Sequence, residues 1–293
     1  MAIKYGEMHV DEKYKPIILP NLFYRTWLVP GVTYQDASTD ASGAWYWHKL
    51  NGAGAAEPGV PGRDFSDEAA ADTLVSAVFN NNFQRSKKIY AVQAAAVAFP
   101  VANEHLSLAI NEIAEGKGLA GLACLITEGK ASEDTTKITK SNFDDMVLKE
   151  RQAVVEAKGV ADTVLCSPSF FAAMLGFAGS KYTPSTNEKL IAAAAGGQVG
   201  NYLGMNWIEV NGFAHKSDVS FYDYTSTKKT VSAADLNAVE FIMYDHNAFG
   251  VGDNFTMARL RDSERFAGTL AQSEDNTAFR VLQSGAVRVR KHA

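Results

Sequence analysis

The sequence predicts an α+β protein organised around one unusually long helix. Residues 101–128 hold an apolar helical periodicity, enough for about 42 Å of helix. Apolar strands alternate with helices over residues 141–251, the pattern of a compact α/β or α+β lobe. Long strand-like segments close the chain over residues 252–293. With 293 residues, 46% of them hydrophobic, the chain can bury a large core as one or two domains.

Residues 1–32 read as extended. "YKPIILPNLFYRTWLVPG" carries Pro16, Pro20 and Pro30, which exclude a helix interior, yet it is rich in Ile, Leu, Phe and Trp. Such an arm must cover either its own body or a neighbouring copy. Residues 33–66 are poor in aliphatics and rich in glycine, with one strand-like patch, Trp45, Tyr46, Trp47, His48 and Lys49. So long a stretch without a core element points to a functional loop. A two-stranded projection with its tip near residues 40–42 fits it.

"SDEAAADTLVSAVF", residues 66–79, reads as a helix, with Ser66 as N-cap and acidic residues in its first turn. "KKIYAVQAAAVAF", residues 87–99, begins as a strand. Pro100 then suits the first turn of the long helix. Leu106, Ile110, Ile113, Ala120 and Cys124 share one face of that helix, while Leu108, Leu119, Leu122 and Ile126 form a second. Gly116, Gly118 and Gly121 each cost roughly 1 kcal/mol against alanine. Packing must therefore hold this half, and the glycines let another backbone come close.

Farther on, Ser141 and Asp144 suggest a capping box before "FDDMVLKERQAVVEAKG". "ADTVLCS" reads as a buried strand, and Ser167-Pro168 caps the helix "PSFFAAMLG", which its glycine should stop. A short helix in "TNEKLIAAAAG" and strands in "GMNWIEVNG" and "AVEFIMYDHNAFG" follow. In the tail, two strand segments flank a polar turn expected at "SEDN", and "VRVR" (287–290) alternates as a half-buried strand should.

The usual catalytic constellations are missing from the sequence. It has no H-E-x-x-H and no Walker A motif; "GQVGNYLG" lacks dinucleotide-binding spacing and leads into a strand. No G-x-S-x-G elbow occurs. Asp245-His246 is the nearest acid–base pair, but adjacent strand residues face opposite ways. Asp144 and Asp145 sit where helix-start carboxylates belong. Cys124 and Cys166 lie in apolar runs, which argues against a disulfide framework or thiolate metal site and suits a reducing cytosol. No catalytic residue, cofactor site or metal site is expected. The net charge is −5, although residues 255–293 carry a local excess of +3, read as a solvated strand face. No signal-peptide core and no run of eighteen apolar residues occurs, so no membrane helix is expected.

In order and length these elements resemble the major capsid proteins of tailed bacteriophages, the Hong Kong 97-like fold family. Residues 1–32 look like the family's N-terminal arm and 33–66 like its extended β-hairpin loop. Residues 67–140 correspond to a peripheral domain, whose spine helix "FPVANEHLSLAINEIAEGKGLAGLACLITEG" spans about 101–128. Residues 141–251 look like the axial domain, with "LGMNWIEVNGF", including Gly204 and Asn211, similar to a recurrent strand pattern there. Residues 252–293 resemble the returning peripheral strands and final strand.

The resemblance implies a non-enzymatic shell protein, assembled as hexamers and pentamers around double-stranded DNA. The DNA would be touched only non-specifically, and a portal protein would complete the virion. Ile17, Ile18, Leu22, Phe23 and Trp27 of the arm become candidates for contact between subunits. So do Trp45, Tyr46, Trp47, Lys49 and Arg63 of the loop. The chain reaches the arm directly after Met1, so a separate scaffolding protein is expected. Lys49 is the single lysine of the loop, and no covalent crosslink is expected from it. An encapsulin-type compartment holding a cargo enzyme is the neighbouring reading within the same fold; a soluble α/β enzyme is the alternative outside it.

Overall fold

The computed structural model describes residues 26–39, 45–51, 71–78, 80–91, 101–193 and 198–292. In chain order the strands and helices begin with β1 (Gln35–Asp36), β2 (Ser38–Thr39), β3 (Trp45–Asn51), β4 (Ala71–Ala77) and β5 (Asn81–Tyr90). Then come α1 (Val101–Glu128), β6 (Lys130–Ala131), α2 (Phe143–Glu156), β7 (Thr163–Cys166), α3 (Pro168–Ala178), β8 (Thr183–Pro184) and α4 (Glu188–Ala193). The remainder is β9 (Val199–Tyr202), β10 (Met205–Glu209), β11 (Val219–Tyr222), β12 (Lys228–Val231), α5 (Ala233–Asn237), β13 (Val239–Tyr244), β14 (Phe249–Asp262), β15 (Gly268–Val281) and β16 (Val287–Lys291).

Among the described residues these strands form four sheets. A three-stranded sheet β2-β3-β4 makes the projection, and a four-stranded sheet β1-β14-β15-β5 lies under α1. A seven-stranded sheet runs β6-β16-β13-β7-β10-β9-β8, and β11-β12 is a separate hairpin. Parallel pairs (β10 with β7, β16 with β6) mix with antiparallel ones, which makes the fold α+β.

The 28-residue α1 spans two hydrophobic cores. Its first half packs Leu106, Ile110, Ile113 and Ala114 onto Ile89, Ala258 and Ala271 of the four-stranded sheet. Its second half is buried on all sides, residues 119–125 without a break, in the main core with Trp207, Phe213, Phe249 and Phe279. An amphipathic surface helix would show one apolar stripe; this one is sandwiched, as its two apolar faces predicted.

Several sequence expectations are corrected. Residues 71–77 form β4, not a helix, because pairing with β3 overrides weak helix propensity; residues 66–70, with the proposed cap Ser66, lie outside the described residues. The proposed capping box is absent. α2 starts at Phe143, its preceding residue Asn142 makes no side-chain cap bond, and Asp144 instead meets Lys181 at 2.5 Å and the Tyr202 hydroxyl. Ser167 does cap α3, accepting from Phe170 N at 3.3 Å, but the helix runs through Gly176 to Gly179.

"SEDN" is not a turn: it lies within β15, and the chain reverses at residues 263–267. Ser273 and Asp275 are buried toward α1, while Glu274 on the other face accepts from Asn82 (2.9 Å) and Gln84 (2.7 Å). Residues 287–290 are buried on both faces rather than one. A buried charge must be paired. Accordingly Arg288 Nε meets Glu150 Oε2 at 3.1 Å, and Arg290 Nε meets Glu240 Oε2 at 3.2 Å. The basic tail is therefore only partly a solvated face.

Candidate functional site

Clefts come first, since an enzyme needs one. A cleft of 920 Å³ lies between α2, β6 and the loop at residues 283–285. Its charged groups already neutralise one another: Lys149 meets Asp134 at 2.9 Å, and Glu150 holds Arg288. The two cysteines are buried, and burial pushes both thiols well above their usual range. Neither is an activated nucleophile. No helix among the described residues is long and apolar enough to cross a membrane.

The remaining candidates are the elements that leave the body and the joints that hold them. Ile17, Ile18, Leu22, Phe23 and Arg63 lie outside the described residues. Trp45 and Lys49 are on β3, as is the half-buried Tyr46. Trp27 and Trp47 are corrected as offerings to a neighbour, because their own chain covers them to 3% and 4% exposure.

Trp27 explains the helix glycines. Its indole Nε1 donates to the Gly118 carbonyl at 3.1 Å. A Cβ at Gly118 would stand 3.0 Å from Thr26 Oγ1 and 3.3 Å from Trp27 Nε1. At Gly121 it would stand 3.2 Å from Trp27 Cζ2, and at Gly116 3.4 Å from Phe83. The glycines thus receive side chains of the arm and β5. Thr33 locks the turn that follows, accepting from Val29 N and donating to Trp27 O, both at 2.8 Å. The turn is then pinned to the seven-stranded sheet, where Tyr244 donates to Thr33 O at 2.9 Å and Thr163 to Val32 O at 3.1 Å.

At the loop's base, β2 pairs with β3 (Thr39 with Trp45) and β3 with β4 (Asn51 with Ala71). Residues 40–44, where the tip is expected, and residues 52–70 lie outside the described residues. Trp47 anchors both strand pairs by packing its ring against Gly250 of β14, where a Cβ would come within 2.4 Å of it. With Ala77 and Ala278 it forms a small separate core.

The sequence left one joint unread. Lys117 of α1 is buried between Gly116 and Gly118 and reaches Asp253 Oδ1 on β14 (2.6 Å) and Asp275 Oδ2 on β15 (3.4 Å). The Thr277 hydroxyl lies between the two carboxylates, 2.9 Å from Asp253 Oδ1 and 3.1 Å from Asp275 Oδ1, and its one proton can serve either. Burial alone would lower the Lys117 pKa, but the attraction of Asp253 and then Asp275 outweighs it and holds the ammonium above its ordinary value. Nearby Tyr34 is pushed far up, first by burial and then by Asp253, so its hydroxyl stays protonated. No motif spacing could have announced partners this remote.

No protein-family model and no curated protein matches the chain. Solved structures do. The capsid of cyanophage P-SCSP1u is similar with a TM-score of 0.64 at 10% identity, over 100% of this chain and 93% of that one. The mature capsid of bacteriophage PhiM1 gives 0.60 at 13% identity, over 100% and 92%. A virus-like particle from Pyrococcus furiosus gives 0.56 at 8% identity, over 96% and 98%. This chain therefore has the Hong Kong 97-like capsid fold.

Proposed function

We propose that the chain is the major capsid subunit of a tailed bacteriophage. It self-assembles as hexamers and pentamers into an icosahedral shell around the double-stranded DNA genome and performs no catalysis. The observation that supports this is the extent of the likeness: the fold is similar to phage capsid structures over 100% of this chain and 92–93% of theirs. Ring-closing heterologous contacts generate such capsomers. A slightly acidic chain does not grip the DNA it encloses. The reading brings a separate scaffolding protein and a portal protein as partners, synthesis in the host bacterial cytoplasm, and the virion as destination. Arm residues Ile17, Ile18, Leu22 and Phe23, and loop residues Trp45, Tyr46, Lys49 and Arg63, are the proposed contacts between subunits.

Electron microscopy of the purified recombinant chain, alone and with its scaffolding partner, tests this. Closed shells or capsomers are expected. A monodisperse monomer under both conditions would overturn it. The Pyrococcus particle favours a second reading, a shell that holds protein and no genome. Small shells from the native source, free of nucleic acid and carrying an enzyme, would establish that one instead.

A further inference from the structure

We propose that Asp162, Asp245 and His246 form a binding site for a divalent transition-metal ion of the zinc class. The three residues meet at the end of the β7–β13 strand pair. Thr163 and Tyr244 are register partners there, so Asp162 and Asp245 are the next residues out on each strand. His246 opens the short 3-10 turn His246–Ala248, which Asp245 caps by accepting from Asn247 N at 2.9 Å. One ligand atom from each residue lies within 4.8 Å of the other two. Bonds of 2.0–2.1 Å to a tetrahedral zinc place ligand atoms about 3.4 Å apart.

Two of the ligand atoms already touch, and the third is close. Asp162 Oδ1 accepts from His246 N (3.1 Å) and shares the one Thr163 hydroxyl proton with Val32 O (2.9 and 3.1 Å), while Oδ2 faces His246 Nδ1. Asp245 Oδ2 accepts from Val160 N at 2.8 Å, while its Oδ1 lies 3.9 Å from the same Nδ1. A single imidazole proton can serve Asp162 but leaves Asp245 out of reach; a metal ion in its place joins all three.

Charge points the same way. Among the described residues, His246 is the only basic side chain within ion-pair distance of either carboxylate. Two carboxylates face one imidazole here, an excess of acidic groups that a divalent cation offsets. The side chains of Asp162, Asp245 and His246 are 26%, 13% and 28% exposed, so the site is sheltered yet open to solvent ligands. One imidazole with two carboxylates suits zinc, cobalt or manganese better than a thiolate-seeking metal. The ion would tie β7 to β13 beside the point where Thr33 and Val32 fasten the arm.

The test uses the full chain after removal of metal by a chelator. Zinc, magnesium and cobalt are each added during thermal unfolding and calorimetric titration. Zinc is expected to bind one equivalent and raise the melting temperature, and magnesium is not. Cobalt should give the visible absorption of a low-coordinate nitrogen–oxygen site. Asp162→Asn keeps Oδ1 as acceptor for His246 N and Thr163, and so preserves the fold. It and His246→Gln should each lose at least tenfold in zinc affinity. No zinc-dependent shift and no cobalt band in the wild-type chain would overturn the site. So would equal zinc binding by wild type and both variants, which would place the ion on another histidine.

Discussion

At the scale of single residues, Lys117 governs the joint between helix and sheet. Its raised pKa contributes stability that is complete below the ordinary lysine value and lost as pH climbs through the folded one. Lys117→Met leaves Asp253 and Asp275 facing each other without a cation, and breaking such a pair costs roughly 3–5 kcal/mol. Burial already holds the Asp275 carboxyl above its ordinary value, and losing the cation that opposes this raises it further. Its contribution is favourable at low pH and disappears as pH rises. Thermal unfolding of wild type and Lys117→Met should therefore differ widely at neutral pH and much less at about pH 5. A gap that stays constant with pH would refute the arrangement. This is also where reading the sequence stops. The helix glycines announced close packing by themselves, because glycine in a helix is costly wherever nothing needs the space. The carboxylates that Lys117 meets are 136 and 158 residues away, and only folding brings them near.

At the scale of elements, legibility follows how local the cause is. α1 and β7 carry their own periodicity and apolar runs and form where expected, and α3 starts at its expected cap, Ser167, though it continues past Gly176. β4 carries little of its own. Alanine-rich and acidic at its start, it is a strand because β3 lies beside it. "SEDN" looked like a turn because polar residues seldom face a core; here Asp275 does so with Lys117 waiting. The aromatic patch on β3 announced that it must pack on something, but Gly250 lies some two hundred residues on. That contact is testable. Gly250→Val suits a strand in its own conformation, yet its Cβ would occupy the place of the Trp47 ring. The ring must leave, at a cost of about 1–3 kcal/mol. Limited proteolysis should then cut within residues 38–77 much faster than in the wild type, while the far-ultraviolet circular dichroism of the body is retained. An unchanged cleavage rate would mean that Trp47 does not fasten the loop.

At the scale of the whole molecule, the long helix and the final strand tie distant parts into one body. α1 enters both larger cores, and β16 threads between β6 and β13, so the last residues of the chain complete the seven-stranded sheet. Among the described residues, Trp47 and the β3–β4 ladder fasten the loop to this body. Removing all of residues 33–66 would not do, because Thr33 and Tyr34 are buried in the main body. The structure supplies a cleaner cut. Asn51 and Ala71 are cross-strand partners, so residues 52–70 can be replaced by Asn-Gly, which closes a two-residue hairpin. Under the capsid reading the excised segment touches a neighbouring subunit, not its own body. The shortened chain should melt within a few degrees of the wild type, since every described core residue is kept. It should nonetheless fail to form closed shells by electron microscopy under conditions where the wild type assembles. Normal shells would free residues 52–70 from any part in assembly. A large fall in melting temperature would show instead that the segment folds back to support its own chain.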